Sequence, residues 1–196
     1  TTLTIGLGTS VTIESPSSGN YQDGITINAS NDNNAEWINF EIDGPKTESS
    51  NETSASGSEY VTYDFTAGNG DYGDYTINVE DAEVSTDSVD ITLDGDGPTI
   101  ELENDRDYVG SDQDLTFVLN DDITGVGEVN VSASDSDVLD TTEDCDGDNE
   151  CDVDVGLDTG SIDQGDSVDI DVDSVDAVGN ENSESFSFTF DDEWDG

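Results

Sequence analysis

Short runs in which apolar and polar residues alternate are the main local pattern of this chain. Two clear examples are residues 75–79 (YTINV) and 168–172 (VDIDV), where every second residue is apolar. Successive side chains of a β-strand point to opposite faces, so each run predicts a strand with one buried and one wet face. No stretch shows a sustained helical period with caps. The pattern predicts an all-β protein with little helix.

The strand pattern occurs twice along the chain, with an offset that grows from 87 to 97 residues. Each copy contains about six or seven alternating segments separated by turn residues, which is typical of an antiparallel sandwich. One module therefore occurs twice, with longer loops in the second copy. The matched segments are 11–14 with 98–101, Tyr21 with Tyr108, 25–27 with 115–117, 38–40 with 129–131, 75–79 with 168–172, and 89–94 with 186–191.

The repeat predicts how the chain is divided, with the boundary at the Gly-rich sequence DGDGP of residues 94–98. A linker this short limits hinge motion without abolishing it. The predicted segments are an N-terminal strand at 1–9, a first sandwich domain at 10–94, a linker at 95–97, a second sandwich domain at 98–191, and a C-terminal tail at 192–196.

Two motifs connect residues 10–191 with a known class of proteins. Residues 176–180 (DAVGN) resemble the Asp-x-x-Gly-Asn hairpin of the tandem immunoglobulin-like modules in prokaryotic, including haloarchaeal, cell-surface and filament proteins. Residues 73–79 (GDYTINV) resemble their Gly-x-Tyr-x-x-x-Val strand, in which Tyr75 would form a tyrosine corner. Val168 stands at that position in the second copy. The resemblance implies two tandem immunoglobulin-like antiparallel β-sandwiches and a surface location.

The charge of the chain is extreme, with 51 Asp plus Glu against 2 Lys plus Arg and a formal net charge of −49. Self-repulsion of this size disfavours a compact state in dilute buffer, whereas at molar salt the Debye length falls to about 3 Å. We therefore expect a protein adapted to brine, as in haloarchaea. Lys46 and Arg106 cannot neutralise a phosphate backbone, so nucleic acid and anionic membranes are not expected as partners.

Three features predict export. The chain contains no methionine, so Thr1 is interpreted as a processed N-terminus after signal-peptide removal, trimming of an initiator methionine being the alternative. Cys145 and Cys151 enclose a short polar turn and are predicted to form a disulfide, which suits an oxidising compartment. A metal-binding pair would lack further Cys or His ligands. No apolar run reaches membrane-spanning length, so no membrane insertion is expected and the predicted location is extracellular.

Catalytic chemistry has little support in this sequence. Without His there is no Ser-His or Cys-His nucleophile pair, and phosphate-binding glycine motifs are absent. Carboxylate pairs are uninformative among 51 acids. We expect a protein that is not an enzyme and that needs no cofactor.

A structural cation is the one exception to this expectation. Acidic residues alternate through the predicted cystine loop, where a turn could fold several carboxylates toward one Ca²⁺ or Mg²⁺ ion. A solvated acidic surface is the other interpretation. The candidate ligands are Asp144, Asp146, Asp148, Glu150 and Asp152.

Three Asn-x-Ser/Thr sequons begin at Asn28, Asn51 and Asn130, about as many as chance predicts. Asn51 lies in the polar stretch 47–58, which predicts an exposed loop and makes it the best glycosylation candidate. Asn28 follows an apparent strand, where it would be partly hidden.

The first thirteen residues contain no acid, although the chain as a whole is strongly acidic. Leu3, Ile5 and Leu7 alternate with small residues as in a strand buried on one face, and the second copy has no counterpart. Two interpretations are open: the segment completes a sheet in another subunit by donor-strand addition, or it packs on its own domain. Trp194, beyond the last strand, could likewise pack on its own domain or on a neighbour.

These observations favour a structural subunit of an extracellular, pilus-like filament from a halophile, assembled head-to-tail from copies of itself by the N-terminal strand. The alternative is a non-polymerising adhesin or surface-layer module that binds a surface glycan or protein.

Overall fold

A computed structural model describes residues 10–31, 37–53, 60–82, 84–103, 106–110, 113–133, 141–157 and 162–193. These residues form β-strands joined by turns, and none of them lies in a helix, so no helix in this part of the chain could span a membrane. The chain divides into two compact units, Thr1–Gly95 and Asp96–Gly196. The division falls within the predicted linker of residues 95–97.

Unit 1 is a sandwich of two sheets. One sheet has the strand order β1-β3-β6 and the other has the order β2-β8-β7-β4-β5. All pairs are antiparallel except β2 with β8. The strands described in this unit are β1 (Val11–Ser15), β2 (Gly19–Tyr21), β3 (Gly24–Asn31), β4 (Ile38–Asp43), β5 (Glu48–Glu52), β6 (Val61–Thr66), β7 (Gly73–Asp81) and β8 (Thr86–Leu93).

Unit 2 repeats this arrangement. Its sheets have the orders β9-β11-β14 and β10-β16-β15-β12-β13, with β10 and β16 parallel. The two units match strand for strand, which confirms the predicted class of two tandem immunoglobulin-like sandwiches. The strands described in this unit are β9 (Thr99–Leu102), β10 (Tyr108–Val109), β11 (Asp114–Asn120), β12 (Val126–Ala133), β13 (Thr141–Asp148), β14 (Glu150–Gly156), β15 (Ser167–Asp176) and β16 (Glu181–Phe190).

Each unit has its own core, built from the apolar positions of the alternating runs. Phe40, Phe65 and Ile77 are fully enclosed in unit 1, and Phe117 and Ile170 are fully enclosed in unit 2. The intervening residues face solvent, as the alternation predicts. Burial of these side chains is the main stabilising contribution to each sandwich.

The outward faces carry a regular pattern of hydroxyl–carboxylate pairs between neighbouring strands. In each pair a Thr or Ser hydroxyl donates to an Asp carboxylate directly opposite, at 2.6–2.8 Å. Like charges opposite each other would destabilise a sheet, so this pattern lets acidic strands pair side by side. The pairs are Thr26–Asp64, Thr76–Asp90, Thr92–Asp74, Thr116–Asp154, Ser183–Asp173 and Ser185–Asp171.

Tyr75 forms the expected tyrosine corner in unit 1. Its hydroxyl donates to the carbonyl of Asp71, four residues earlier, and accepts the backbone N–H of Lys46 at 3.3 Å. The ring packs edge-on against Phe65 with centroids 5.2 Å apart. Val168 occupies the corresponding place in unit 2. It is buried, and its side chain has no hydroxyl that could form this hydrogen bond.

The structure corrects one position of the sequence repeat. The carbonyl of Tyr21 accepts the N–H of Asp94 at 3.0 Å, and the carbonyl of Val109 accepts the N–H of Asp191 at 2.9 Å. Because Asp94 and Asp191 are repeat equivalents, Tyr21 corresponds to Val109 and not to Tyr108. Val109 is buried while Tyr108 is 47% exposed. Tyr21 and Tyr108 match in residue type, but pairing and burial set the register of a strand, and they place Val109 at the position of Tyr21.

Candidate functional site

The predicted assembly residues Leu3, Ile5 and Leu7 lie outside the described residues, as does Trp194. The structure does describe the domain that follows Leu3, Ile5 and Leu7. Strands β1 to β8 already reproduce the full set β9 to β16 of unit 2 without any contribution from residues 1–9. The repeated fold therefore needs no strand from this segment.

One edge of unit 1 is closed by side chains. The backbone N–H of Val11 donates to the hydroxyl of Ser85 at 3.0 Å, and that of Ile13 donates to the carboxylate of Asp87 at 2.8 Å. These groups on β1 point away from β3 and would otherwise be available to another strand. Capping them protects this edge against pairing with a further chain.

The opposite edge of the same sheet is β6, which pairs only with β3 among the described strands. Val61, Tyr63 and Phe65 point inward from β6, with Val61 and Phe65 buried and Tyr63 half-buried. At its end, the carbonyl of Thr66 accepts a bond from Lys46 Nζ at 3.1 Å. An unpaired strand edge of this kind can template the addition of another strand.

Tyr63 and Glu48 form the main electrostatic contact beside this edge. The Tyr63 hydroxyl donates to Glu48 Oε1 at 2.5 Å, and Lys46 forms an ion pair with the same carboxylate at 3.1 Å. The pKa of Tyr63 is raised to about 12, mainly by burial of the phenol and next by its hydrogen bond to Glu48. The hydrogen bonds from Tyr63 and then Lys46 lower the pKa of Glu48.

The three candidate glycosylation sites differ in access. Asn28 is half-buried, its amide donates to Ser15 Oγ at 2.9 Å, and its Oδ1 accepts the Thr62 hydroxyl at 2.9 Å. Asn51 and Asn130 are exposed. Asn51 is not in a loop, as the sequence predicted, but on strand β5, because residues 48–52 pair along β4.

The predicted disulfide is present, with Cys145 and Cys151 bonded and their Cα atoms 5.9 Å apart. Cys145 lies on β13 and Cys151 on β14, which belong to different sheets of unit 2. The bond closes the short loop between these consecutive strands and thereby ties the two layers of the sandwich together at one side.

The acids around this disulfide do not converge on one point in the structure. Asp144, Asp146, Asp148, Glu150 and Asp152 are all exposed, and no three of their carboxylates converge within 4.8 Å. Alternation along β13 and β14 directs these side chains to solvent. These five acids belong to the exposed surface of unit 2.

Converging carboxylates occur in unit 2 at Asp121 and Asp176, which carry oxygens within 4.8 Å of each other. Both residues are buried, at 8% and 4% exposure. Asp121 follows β11, and Asp176 ends β15 at the start of the DAVGN hairpin. Because β11 and β15 belong to different sheets, the stacking of the two sheets brings the two carboxylates together.

Each carboxylate uses one oxygen to hold a turn. Asp121 Oδ1 accepts three backbone N–H groups from residues 123–125 at 2.9–3.2 Å. Asp176 Oδ1 accepts three more from residues 178–180 at 2.6–2.9 Å. This turn geometry accounts for the Asp and Gly of the DAVGN motif, since Gly179 has φ 95°.

The second oxygens of the pair differ in their partners. Asp176 Oδ2 accepts the Asn180 amide at 2.7 Å and the Thr124 hydroxyl at 3.2 Å. Asp121 Oδ2 is buried and has no hydrogen-bond partner among the described residues. Leaving a buried acceptor without a donor costs about 1–3 kcal/mol.

Unit 1 has a different residue at the position of Asp121. Asn31 stands where unit 2 has Asp121, at the offset of 90 that aligns β3 with β11. The Asn31 amide donates to Asp81 Oδ2, and Asp81 Oδ1 accepts the N–H of Ser85 at 2.9 Å as Asp176 does in its own turn. Asp121 was not among the residues predicted from the sequence, although the Asn-to-Asp exchange between the copies was the available signal.

Comparison with known proteins adds similarity of fold only. No family model and no curated protein matches the chain. A mutated three-immunoglobulin-domain fragment of titin matches with 14% identity and a TM-score of 0.49, covering 92% of this chain and 65% of the fragment. A tetra-tandem repeat from the extending region of a large adhesion protein matches with 16% identity and a TM-score of 0.42, covering 94% of this chain and 49% of that one. The sandwich assignment rests on the strands of this chain itself.

Proposed function

We propose that this protein is a structural subunit of an extracellular filament, in which residues 2–7 of one copy add as a strand to a sheet edge of another. The observation that carries the proposal is that unit 1 is a complete copy of the repeated sandwich without residues 1–9. A strand-like, acid-free segment that its own domain does not require is available to a partner.

Strand β6 is the acceptor that fits the donor best. Val61, Tyr63 and Phe65 form an inward row of three apolar residues, and Leu3, Ile5 and Leu7 have the same spacing. A strand added beside β6 would place its three apolar side chains toward the sandwich and its Thr residues toward solvent. Backbone hydrogen bonds would supply the binding affinity, and the row of apolar side chains would fix the register of the added strand.

Charge supports the choice of donor. Like-charge contact between two copies carrying −49 each is unfavourable, and the first thirteen residues are the stretch that brings no carboxylate with it. In molar salt, screening weakens the remaining repulsion. The acidic faces then keep a fibre hydrated while the neutral strand forms the contact.

Deleting residues 1–8 is expected to abolish assembly. Electron microscopy and sedimentation in molar NaCl should show filaments or oligomers for the intact chain and monomers for the deletion. Replacing Leu3 and Ile5 by Asp should act like the deletion, while the control replacements Thr2→Ser and Thr4→Ser, on the other face, should leave assembly unchanged. Unaltered assembly after the deletion would rule out the donor-strand mechanism.

Cysteine cross-linking tests the acceptor and its direction. Thr4→Cys is combined with Asp64→Cys, its neighbour in an antiparallel addition, or with Thr62→Cys, its neighbour in a parallel one. A ladder of reducible oligomers is expected from one pair and not from Thr4→Cys alone. A cross-linked monomer would show that the strand packs on its own domain.

A glycan array separates the alternative function. Clear binding by monomeric protein, unchanged by the deletion, would favour the non-polymerising adhesin or surface-layer module over the filament subunit.

A further inference from the structure

We propose that Asp121 and Asp176 of unit 2 bind a hard divalent cation, Ca²⁺, and that unit 1 has lost or never had the equivalent site. The proposal goes beyond the function proposed above and does not depend on assembly. It rests on the buried pair and on its counterpart in unit 1.

The two carboxylates are held ready for a cation. Three backbone N–H groups fix Oδ1 of each residue, so neither side chain can turn away without breaking its own loop. Asp121 Oδ2 is buried without a hydrogen-bond partner in the described part of the chain. A buried anionic oxygen of this kind is stabilised by a proton donor or by a cation.

The chemistry of the surrounding atoms selects the class of ion. The available ligands are the carboxylate oxygens of Asp121 and Asp176 and the hydroxyl of Thr124, which lies 3.2 Å from Asp176 Oδ2. Oxygen-only ligands suit Ca²⁺ or Mg²⁺, and both cysteines of the chain are committed to the disulfide. Ca²⁺ tolerates irregular coordination completed by water, whereas Mg²⁺ demands near-ideal octahedral geometry.

Unit 1 shows what the site becomes without a second carboxylate. There Asn31 takes the place of Asp121, and its neutral amide donates directly to Asp81 Oδ2. Unit 2 has the same fold and the same turn-capping Asp, but a carboxylate in place of the amide. The exchange removes a hydrogen-bond donor and adds a negative charge, which a divalent ion would offset.

The test uses the full chain, stripped of metal by a chelator and kept in constant molar KCl so that weak surface binding is suppressed. Calorimetric titration with CaCl₂ should show a single site, with a Kd of about 10⁻⁴ to 10⁻³ M as in other extracellular Ca²⁺ modules. Asp121→Asn recreates the unit 1 arrangement and should weaken binding at least about tenfold, because it removes a charged ligand. The control D144N/D146N changes exposed acids of the cystine loop and should bind Ca²⁺ as the unchanged chain does.

Hydrogen exchange on the unchanged chain provides a readout that does not depend on a variant folding. Ca²⁺ should slow exchange around residues 121–126 and 174–181 and leave the unit 1 counterparts, residue 31 and residues 79–86, unaffected. The proposal is overturned by absence of Ca²⁺ heat and protection, by full binding in Asp121→Asn, or by loss of binding in the loop control. Equal protection on lowering the pH without Ca²⁺ would also overturn it, since a shared proton would then occupy the pair.

Discussion

At the scale of single residues, Tyr63 shows how one hydroxyl stabilises a buried ring beside an acidic strand. Its ring stacks on Phe40 with centroids 5.6 Å apart, while its hydroxyl donates to Glu48. The phenol therefore stays protonated in the folded chain at pH values where an exposed tyrosine ionises. Asn31 and Asp121 make a related point, because the Asn31 amide donates to Asp81, whereas the carboxylate of Asp121 adds a buried oxygen that has no donor among the described residues.

This contact predicts a loss of stability in alkali. The pKa of Tyr63 rises from an ordinary value of 10.0 to about 12 on folding, so its contribution is complete below pH 10 and is lost as the pH rises to about 12. Tyr63→Phe should remove this part of the pH dependence, leaving the part due to Tyr75, whose pKa burial also raises. Urea unfolding across this pH range, with phenolate absorbance as a parallel readout, measures the effect. An identical pH profile in the variant would contradict it.

At the scale of strands, the acidic sequence is compatible with sheets because carboxylates lie opposite hydroxyls. Asp171 and Asp173 on β15 each accept a serine hydroxyl from β16 at 2.6 Å. The alternation places these residues outward, and the register decides which residue each one meets. Strands β13 and β14 gain a different kind of link, the disulfide between the sheets.

Removal of this disulfide should destabilise unit 2 alone. Cross-linking a loop with a sequence separation of 6 is worth about 2 kcal/mol through the restricted unfolded chain. Cys145→Ala with Cys151→Ala should lower the free energy of unfolding of unit 2 by at least about this amount, because Cys145 is also buried in the core. Urea unfolding followed by hydrogen exchange distinguishes the units, and reduced but unmutated protein isolates the cross-link. Equal losses in unit 1, which has no cysteine, would be inconsistent with this account.

At the scale of the whole molecule, the chain has 2 Lys plus Arg against 51 Asp plus Glu, and one of these two cations, Lys46, forms an ion pair with Glu48. The free energy of folding must therefore overcome repulsion that local pairing does not cancel. Salt supplies the missing screening, with a Debye length near 10 Å at 0.1 M and about 3 Å at 1 M.

Stability is accordingly expected to rise steeply with KCl between about 0.1 M and 1 M, the range in which the Debye length falls to about the size of a direct charge contact. Sucrose, which strengthens burial without screening charge, serves as the control and should have a smaller effect. Replacing the exposed Asp169, Asp171 and Asp173 by Asn should make the salt dependence shallower, because it removes three charges from one face. Thermal unfolding in each salt series measures both effects, and a flat response to KCl would contradict the prediction.

Much of the fold was predictable because it depends on local pattern. Alternation with a period of two identified the strands around Ile77 and Ile170, and the repeat identified two similar domains. Asp176 was recognisable as part of a turn motif. Asp121 was not, because one acid among 51 carries no local signal of its own.

By itself, the sequence determined that this chain is all-β, duplicated and strongly acidic, and it identified the cysteines that pair. Each of these properties follows from composition or from neighbours along the chain. Only the tertiary structure decided that Val109 corresponds to Tyr21, that the disulfide joins two sheets, and that Asp121 meets Asp176. These outcomes depend on strand register and on the stacking of sheets, which bring together residues far apart in sequence.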